Sequence, residues 1–440
     1  MIKKVLKFIF EDYHRPAAKL HHIFMVFKNI LFNKKTILFS ERIMLLKNPP
    51  QSMIYFNSLG RLLNLFINFV YILFFNKYFE KGVCLDGGEN RTLKKGNDYE
   101  PWPSQAAHIF DTYEDNLDED FIIKIQQDYL NSVDSIINDK RFKETNWWKE
   151  CREEFNKIFF RNDKIDQKIL KNFRNNMDTK AEILNDQNFL KKTNFERINK
   201  VKSLLLINLY HKLSENVSLT TLRSASDSKV GENLCLNYRG QRLNQRILRY
   251  AYYVSQIKSN TDMNIDDKNL ILDIGGGYGG LSRMLKNTYI NSTCVIIELP
   301  ELCMLSSYFL KRNFNNKKIG TFEDFKDKEK IGLEDLKSFD FVILTQNFMD
   351  KFKDEIFDII INTTSLGEMT DEMQDYYLKN IERCSKHYFY SVNRKDKRHE
   401  KYNSRGFYDF TFNHRWNTLV YKFTHTYHVE FLGKKQKGLS

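Results

Sequence analysis

The residues Leu270-Ile-Leu-Asp-Ile-Gly-Gly-Gly-Tyr-Gly-Gly-Leu-Ser-Arg-Met-Leu285 decide how the rest of the chain is read. They run strand, glycine turn, helix: an apolar stretch to Ile274, five glycines around Tyr278, then Leu281, Met284 and Leu285 at helical spacing. Glycines between a strand and a helix let the chain turn tightly and bring backbone N–H groups close to a ligand, because no Cβ stands between. Two spacings overlap. Gly275, Gly277 and Gly280 satisfy G-x-G-x-x-G, while Asp273, Gly275, Gly277 and Gly279 satisfy acid-x-G-x-G-x-G, with Gly276 completing the bend.

Downstream, apolar runs of strand length alternate with helical ones: Cys294 to Ile297, Leu302 to Phe309, Phe339 to Leu344 and Phe357 to Ile361. That alternation signals βαβ crossovers, and short all-apolar strands signal a parallel sheet covered on both faces. Tyr388 to Val392, Leu419 to Phe423 and Tyr427 to Leu432 read as strands without long helices between them, which predicts an antiparallel pair closing the sheet. The expected fold class is therefore α/β, a Rossmann-like sheet of seven strands over residues 241–433. Asn315 to Ser338 reads as extra charged material and leaves the place of the third strand open. Residues 101–240 read as a helical accessory region, with apolar residues at three- and four-residue steps in Asp120 to Leu130 and Phe195 to Leu206.

The acid before the glycines bears on the ligand. Asp273, at its strand's end, suits the ammonium end of S-adenosylmethionine and is badly placed beside a pyrophosphate. The next strand, Val295-Ile-Ile-Glu298, ends in an acid 25 residues further on, where a carboxylate accepts both ribose hydroxyls. Nicotinamide dinucleotide proteins use a similar acid, so Glu298 indicates an adenosyl ribose without choosing between the two. Tyr278 packs on the cofactor or covers the sheet. Gln346 and Asn347, following a strand, are the expected adenine neighbours, and Asn362 follows the strand after that. No carboxylate cluster compels a metal.

Residues 1–100 are basic, aromatic and helical in pattern. Within 59–79 the most apolar part, Leu62 to Phe75, is shorter than the ~20 residues a spanning helix wants. A buried helix, peripheral membrane contact and a span all stay open for it. The net charge is +13, but Lys and Arg are interleaved with Asp and Glu without a long basic run, so nucleic-acid binding is not expected. Six scattered cysteines, with no Cys-x-x-Cys, indicate neither a disulfide framework nor a zinc site and suit a reducing cytoplasm. With no cleavable leader visible after Met1, the expected location is cytoplasmic, at the membrane's inner face if 59–79 contacts it.

Several segments together resemble a known family. They are LDIGGGYGGLSRML (272–285), Ile297-Glu-Leu-Pro-Glu301, Phe357-Asp-Ile-Ile-Ile-Asn-Thr-Thr-Ser-Leu-Gly-Glu-Met369, Tyr388-Phe-Tyr-Ser-Val-Asn393 and Phe431-Leu-Gly433. Asn172-Phe-Arg-Asn175 and Val230-Gly-Glu-Asn233 match more weakly. The chain from about 145 to 433 is similar to the sugar O-methyltransferases of bacterial surface-polysaccharide gene clusters. The resemblance implies methyl transfer from S-adenosylmethionine to a hydroxyl of a sugar, nucleotide-sugar or glycan acceptor.

Such a hydroxyl is a poor nucleophile, so a base must take its proton during in-line attack on the methyl. The base is expected at the carboxyl ends of the strands, where Asn362, Ser365 and Glu368 follow one another. Glu368 is the first candidate. Ser365-Leu-Gly-Glu368 also fits a helix capping box, in which the same two side chains close a helix start. His387 and His414 are alternative bases. Ser365, Asn393 and Arg394 are the candidate acceptor contacts. The competing readings are an NAD(P)-dependent sugar oxidoreductase or epimerase, for which the Tyr-x-x-x-Lys pair is missing at Tyr402 to Gly406, and a membrane-associated scaffold, which leaves Asp273 and Glu298 without purpose.

Overall fold

The computed structural model describes residues 119–174, 241–395, 405–425 and 428–436 with short gaps, parts of 206–238, and Cys84–Leu85. The apolar stretch 59–79, most of 195–206 and His414 lie outside the described residues.

Eight strands make the central sheet: β1 (Leu270–Ile274), β2 (Thr293–Glu298), β3 (Ile319–Gly320), β4 (Phe341–Thr345), β5 (Phe357–Thr363), β6 (Ser385–Arg394), β7 (Trp416–His425) and β8 (His428–Lys435). Their spatial order is β7-β8-β6-β5-β1-β2-β4-β3. From β3 across to β6 every neighbouring pair is parallel. β8 then runs antiparallel to β6, and β7 antiparallel to β8. The chain thus forms the expected Rossmann-like α/β sheet with its antiparallel closing pair. Among the described residues the sheet has eight strands where seven were expected. The extra one, β3, is two residues at the edge of the charged stretch, held by N–H groups of Asp340 and Phe341 on the Lys318 carbonyl (2.9 and 3.2 Å). The strand next to β2 is β4, so the third position lies beyond Ser338.

The main helices are α1 (Glu119–Ile137), α2 (Asn146–Phe159), α3 (Gln245–Asn260), α4 (Gly280–Thr288), α5 (Pro300–Asn313) and α6 (Asp371–Cys384). Strand alternation sorts side chains to two faces. Ile271, Ile296, Ile343 and Ile359 join residues of α3, α4 and α5. Leu270, Leu272, Val295 and Ile360 join residues of α6. Both faces are covered, which is why these strands are apolar at nearly every position. Strand order reverses at β1, with β2 on one side and β5 on the other. Sheets of this kind leave a crevice at that point, beyond the carboxyl ends of the strands.

The upstream helices share this core. Ile122, Ile125 and Tyr129 of α1 and Phe155 and Phe159 of α2 bury with the α5 residues, and Arg152 Nε pairs with Glu301 at 2.9 Å, tying α2 to the start of α5. Nearer the glycine turn, the Arg174 N–H bonds the Gly231 carbonyl at 3.0 Å. The Arg174 guanidinium pairs with buried Asp227 at 2.5 Å and lies 4.9 Å over the Tyr278 ring. Removing one member of a buried pair leaves a buried charge uncompensated. Asp227→Ala is therefore expected to lower unfolding free energy by about 3–5 kcal/mol, read from the denaturant midpoint. A loss under about 1 kcal/mol would show that the pair behaves as a surface one.

Candidate active site

The site begins where the β1 ladder stops. The Ile274 carbonyl accepts from Asn362 Nδ2 at 2.9 Å and from Ser365 Oγ at 3.3 Å, so the loop after β5 is pinned to the end of β1. Gly275 turns immediately beneath that loop with φ +71°, and a Cβ there would lie 2.1 Å from Ser365 Oγ. Gly277 has φ +58°, but a Cβ there would meet nothing within 4 Å. One glycine is required by crowding. The other presents bare backbone to open space, where a ligand would lie.

The two acids bracket this turn. Asp273 is 1% exposed. Its Oδ2 accepts from Ser282 Oγ at 2.8 Å, and its Oδ1 has no donor among the described residues. Burial pushes its carboxyl up to about 6 against the pull of Ser282. Glu298 is half-buried at the tip of β2. Its Oε1 accepts the Gly277 N–H at 3.0 Å and its Oε2 the Leu299 N–H at 2.6 Å. Burial raises it to about 7, with the neighbouring Asp273 and Glu301 charges adding to the effect of losing water. Each Glu298 oxygen keeps a lone pair for a further donor.

Asn362 and Asn393 support the loop after β5 from below. Asn362 is 0% exposed. Its Oδ1 accepts from Asn393 Nδ2 at 2.7 Å, and Asn393 Oδ1 accepts the Gly367 N–H at 3.4 Å. Both amides are spent within the protein, so they hold the turn that carries Ser365 and Glu368. Thr364, a β-branched residue, sits in this turn at φ +66°, a strained conformation of the kind that collects at functional sites. Nothing in the sequence pattern indicated it. The capping box does not form. Ser365 precedes only a 3₁₀ turn, Leu366–Glu368, without a side-chain cap, and its hydroxyl is engaged by Asn362 Nδ2 at 2.5 Å. The cap of α6 is Thr370, whose side chain accepts the Met373 N–H. Glu368 is left half-buried at the carboxyl end of β5, and half-buried Arg394 ends the adjacent β6.

His387 is not in this group. It lies in the first turn of side chains on β6, at the sheet's opposite edge, facing Asp358, whose Oδ2 accepts the N–H of Leu270 at the start of β1. The strand begins at Ser385, three residues earlier than its apolar run suggests, and the imidazole lies at its amino-terminal end on either reading. Tyr278 points into the helical layer, edge-on to Phe309 at 4.9 Å, and so covers the sheet. On the far side of Glu298, Gln346 is 3% exposed and its Oε1 has no donor among the described residues. The Gln346 carbonyl accepts from Tyr376 at 3.2 Å. Asn347 Nδ2 reaches Ser135 of α1 at 3.2 Å. Sequence reasoning missed that α1 packs beside this end of the sheet, since periodicity shows which face of a helix is buried and not what it covers.

No protein-family model and no curated protein matches the chain. Among solved structures, a SAM dependent methyltransferase from Aquifex aeolicus aligns at 12% identity, covering 41% of this chain and 88% of that one, with TM-score 0.28. Phosphoethanolamine N-methyltransferase 2 of Haemonchus contortus, in complex with S-adenosyl-L-methionine, aligns at 14% identity over 34% of this chain and 30% of that one, TM-score 0.23. The mitomycin 7-O-methyltransferase MmcR aligns at 12% identity over 43% of this chain and 57% of that one, TM-score 0.27.

Two outcomes follow from the geometry. Gly275→Ala is expected to disrupt folding, whereas Gly277→Ala should fold with a loss near 1 kcal/mol from its left-handed backbone, as thermal melts would show. Equal destabilisation by both would contradict the open face at Gly277. The second concerns pH. The folded pKa of Asp273 lies above its unfolded value, so its contribution to stability is full below about pH 4 and is lost as pH rises through about 6. Unfolding free energies of Asp273→Asn should therefore fall less than wild type between pH 4 and 7, the difference being on the order of 3 kcal/mol. Parallel curves would refute the buried carboxyl.

Proposed function

We propose that this protein transfers the methyl group of S-adenosylmethionine to a hydroxyl of a sugar, nucleotide-sugar or glycan acceptor during assembly of a surface glycan. One observation carries the reading: Asp273 and Glu298, at the tips of adjacent strands, bracket the open backbone of Gly277. The donor-free atoms fit such a ligand. Asp273 Oδ1 is a buried acceptor suited to an ammonium or its water and Gln346 Oε1 to an amine, while each Glu298 oxygen, already holding one backbone N–H, keeps a lone pair for a ribose hydroxyl. A pyrophosphate in the same turn would meet the Asp273 carboxyl instead, which speaks against a nicotinamide dinucleotide. The segments that resemble sugar O-methyltransferases also converge here: the glycine turn, the loop after β5, the end of β6 and Arg174 against Tyr278.

When bound, the donor supplies a methyl carbon already activated on a sulfonium. The protein's task is to hold the acceptor oxygen in line and remove its proton. Glu368, on the turn held by Asn393 and Asn362, takes that proton as the oxygen–carbon bond forms and the carbon–sulfur bond breaks, with Arg394 beside it for an anionic acceptor. Calorimetric titration should give a signal with S-adenosylhomocysteine and none with NADH; the reverse result would overturn the assignment. Glu368→Gln should lower kcat for labelled methyl transfer into cell glycans by about 10²-fold or more while leaving S-adenosylhomocysteine affinity unchanged. Full activity in that variant would remove Glu368 from the base role.

A further inference from the structure

Helix α1 carries more apolar surface than the core covers. Its inner side, with Ile122, Ile125, Tyr129 and Ile136, is buried, and the helix packs on α5. On its outer side Ile123, Leu130 and Ile137 are 65%, 42% and 64% exposed. Gln127 and Asp134 stand between them and are exposed as well. These residues follow one another at alternating steps of four and three, which sets them in one line down the helix. The apolar ones recur every seven residues, about 10 Å apart. A single exposed Ile or Leu is ordinary, but a line of them marks a contact surface. Charge on this side is negative. Glu119 and Asp120 of the first turn are exposed, whereas Lys124 is turned to Asp324 at 3.1 Å.

We propose that this line is where α1 meets α1 of a second copy of the chain, the two helices running antiparallel about a twofold axis at Leu130. The apolar positions are symmetric about that residue. Leu130 therefore meets Leu130, and Ile123 of each copy meets Ile137 of the other, the self-complementary pattern of a twofold interface. Charge fixes the direction. A parallel pair would set Asp134 on Asp134 and the two acidic first turns side by side. The antiparallel pair puts Asp134 beside Gln126 and Gln127 and the first turns at opposite ends. The same acids make the line a poor match for an anionic lipid surface. The chain's own run Leu62 to Phe75, apolar at every position but Asn64 and Asn68, would set Asp134 against hydrocarbon. Stable interfaces bury more than about 1,200 Å², and a pair of helices about 28 Å long is small beside that. The association is accordingly weak and concentration-dependent.

Sedimentation velocity on the full chain should show its mass rising towards that of two copies between about 1 and 100 μM. Leu130→Glu, which lies on the twofold and so enters the pair twice, should raise the dissociation constant at least about 30-fold. Gln127→Glu, a surface change that faces Asp134, should raise it about threefold. Mixing that variant with an Asp134→Lys chain should restore pairing to wild-type strength or better. A chain that stays monomeric throughout the range, a dimer that Leu130→Glu leaves intact, or a mixture no tighter than Gln127→Glu alone overturns the proposal. Two further results also overturn it in a monomeric wild type: Leu130→Glu abolishing binding to phosphatidylserine vesicles, or Leu130→Glu speeding proteolysis within residues 62–75. The first assigns the line to lipid, the second to that run of the chain.

Discussion

The carbonyl of Ile274 is the point on which the mouth of the sheet is organised. As the last acceptor of β1 it has no strand partner ahead of it, and Asn362 Nδ2 and Ser365 Oγ reach it from the loop after β5. That contact fixes the distance between the glycine turn and the loop carrying Glu368. It also explains Gly275: with Ser365 drawn so close, no Cβ fits, whatever ligand the turn holds. Asn362 is in turn oriented by Asn393, so the tips of β1, β5 and β6 are held by one buried set of amides and hydroxyls. Such networks are stabilising only when every member is satisfied, and then they also specify a single geometry.

Around this frame the protein buries more negative charge than its own cations neutralise. Glu301 has Arg152 at 2.9 Å, but Asp273 and Glu298 are met by hydroxyl and backbone donors. Both carboxyls are held above their usual range, chiefly by loss of water. A cationic ligand with hydroxyl groups reverses this situation, since positive charge near a buried carboxylate favours the ionised form. The unoccupied lone pairs and the raised pKa values therefore have the same cause, and both are relieved by the same kind of molecule.

How much of this could be read in the sequence differs by element. β1, β2, β4 and β5 are legible because strands buried on both faces must be apolar throughout, and their runs stand out against charged connections. β3 is not, since two residues at an edge carry no periodicity. The glycine turn, Asp273 and Glu298 are legible because their roles depend on spacing along one strand–turn–helix unit. Ser365 and Glu368 show the limit of that logic. Ser-x-x-Glu describes a capping box equally well, and only the 3₁₀ geometry, with Thr370 taking the cap of α6, rules that box out. His387 is different: a residue just before the apolar run Tyr388–Val392 lies at that strand's amino-terminal end, away from the carboxyl ends where ligands bind, so its remoteness was already legible in the sequence.

The helical layer upstream is structurally inseparable from the sheet it covers. Apolar residues from Ile122 to Leu432 belong to one contiguous cluster, in which α1 lies against α5 and α3 against α4. Arg152, Asp128 and Arg174 reach from that layer to Glu301, to the Glu323 turn and to Tyr278. Each of these contacts falls within a few residues of the glycine turn or of the tips of β2 and β3. Stripping the layer away would expose the α5 face and leave Glu301 buried without its cation, a change that costs more than the loss of the contacts themselves. The mouth of the sheet thus takes its shape from both halves of the described chain.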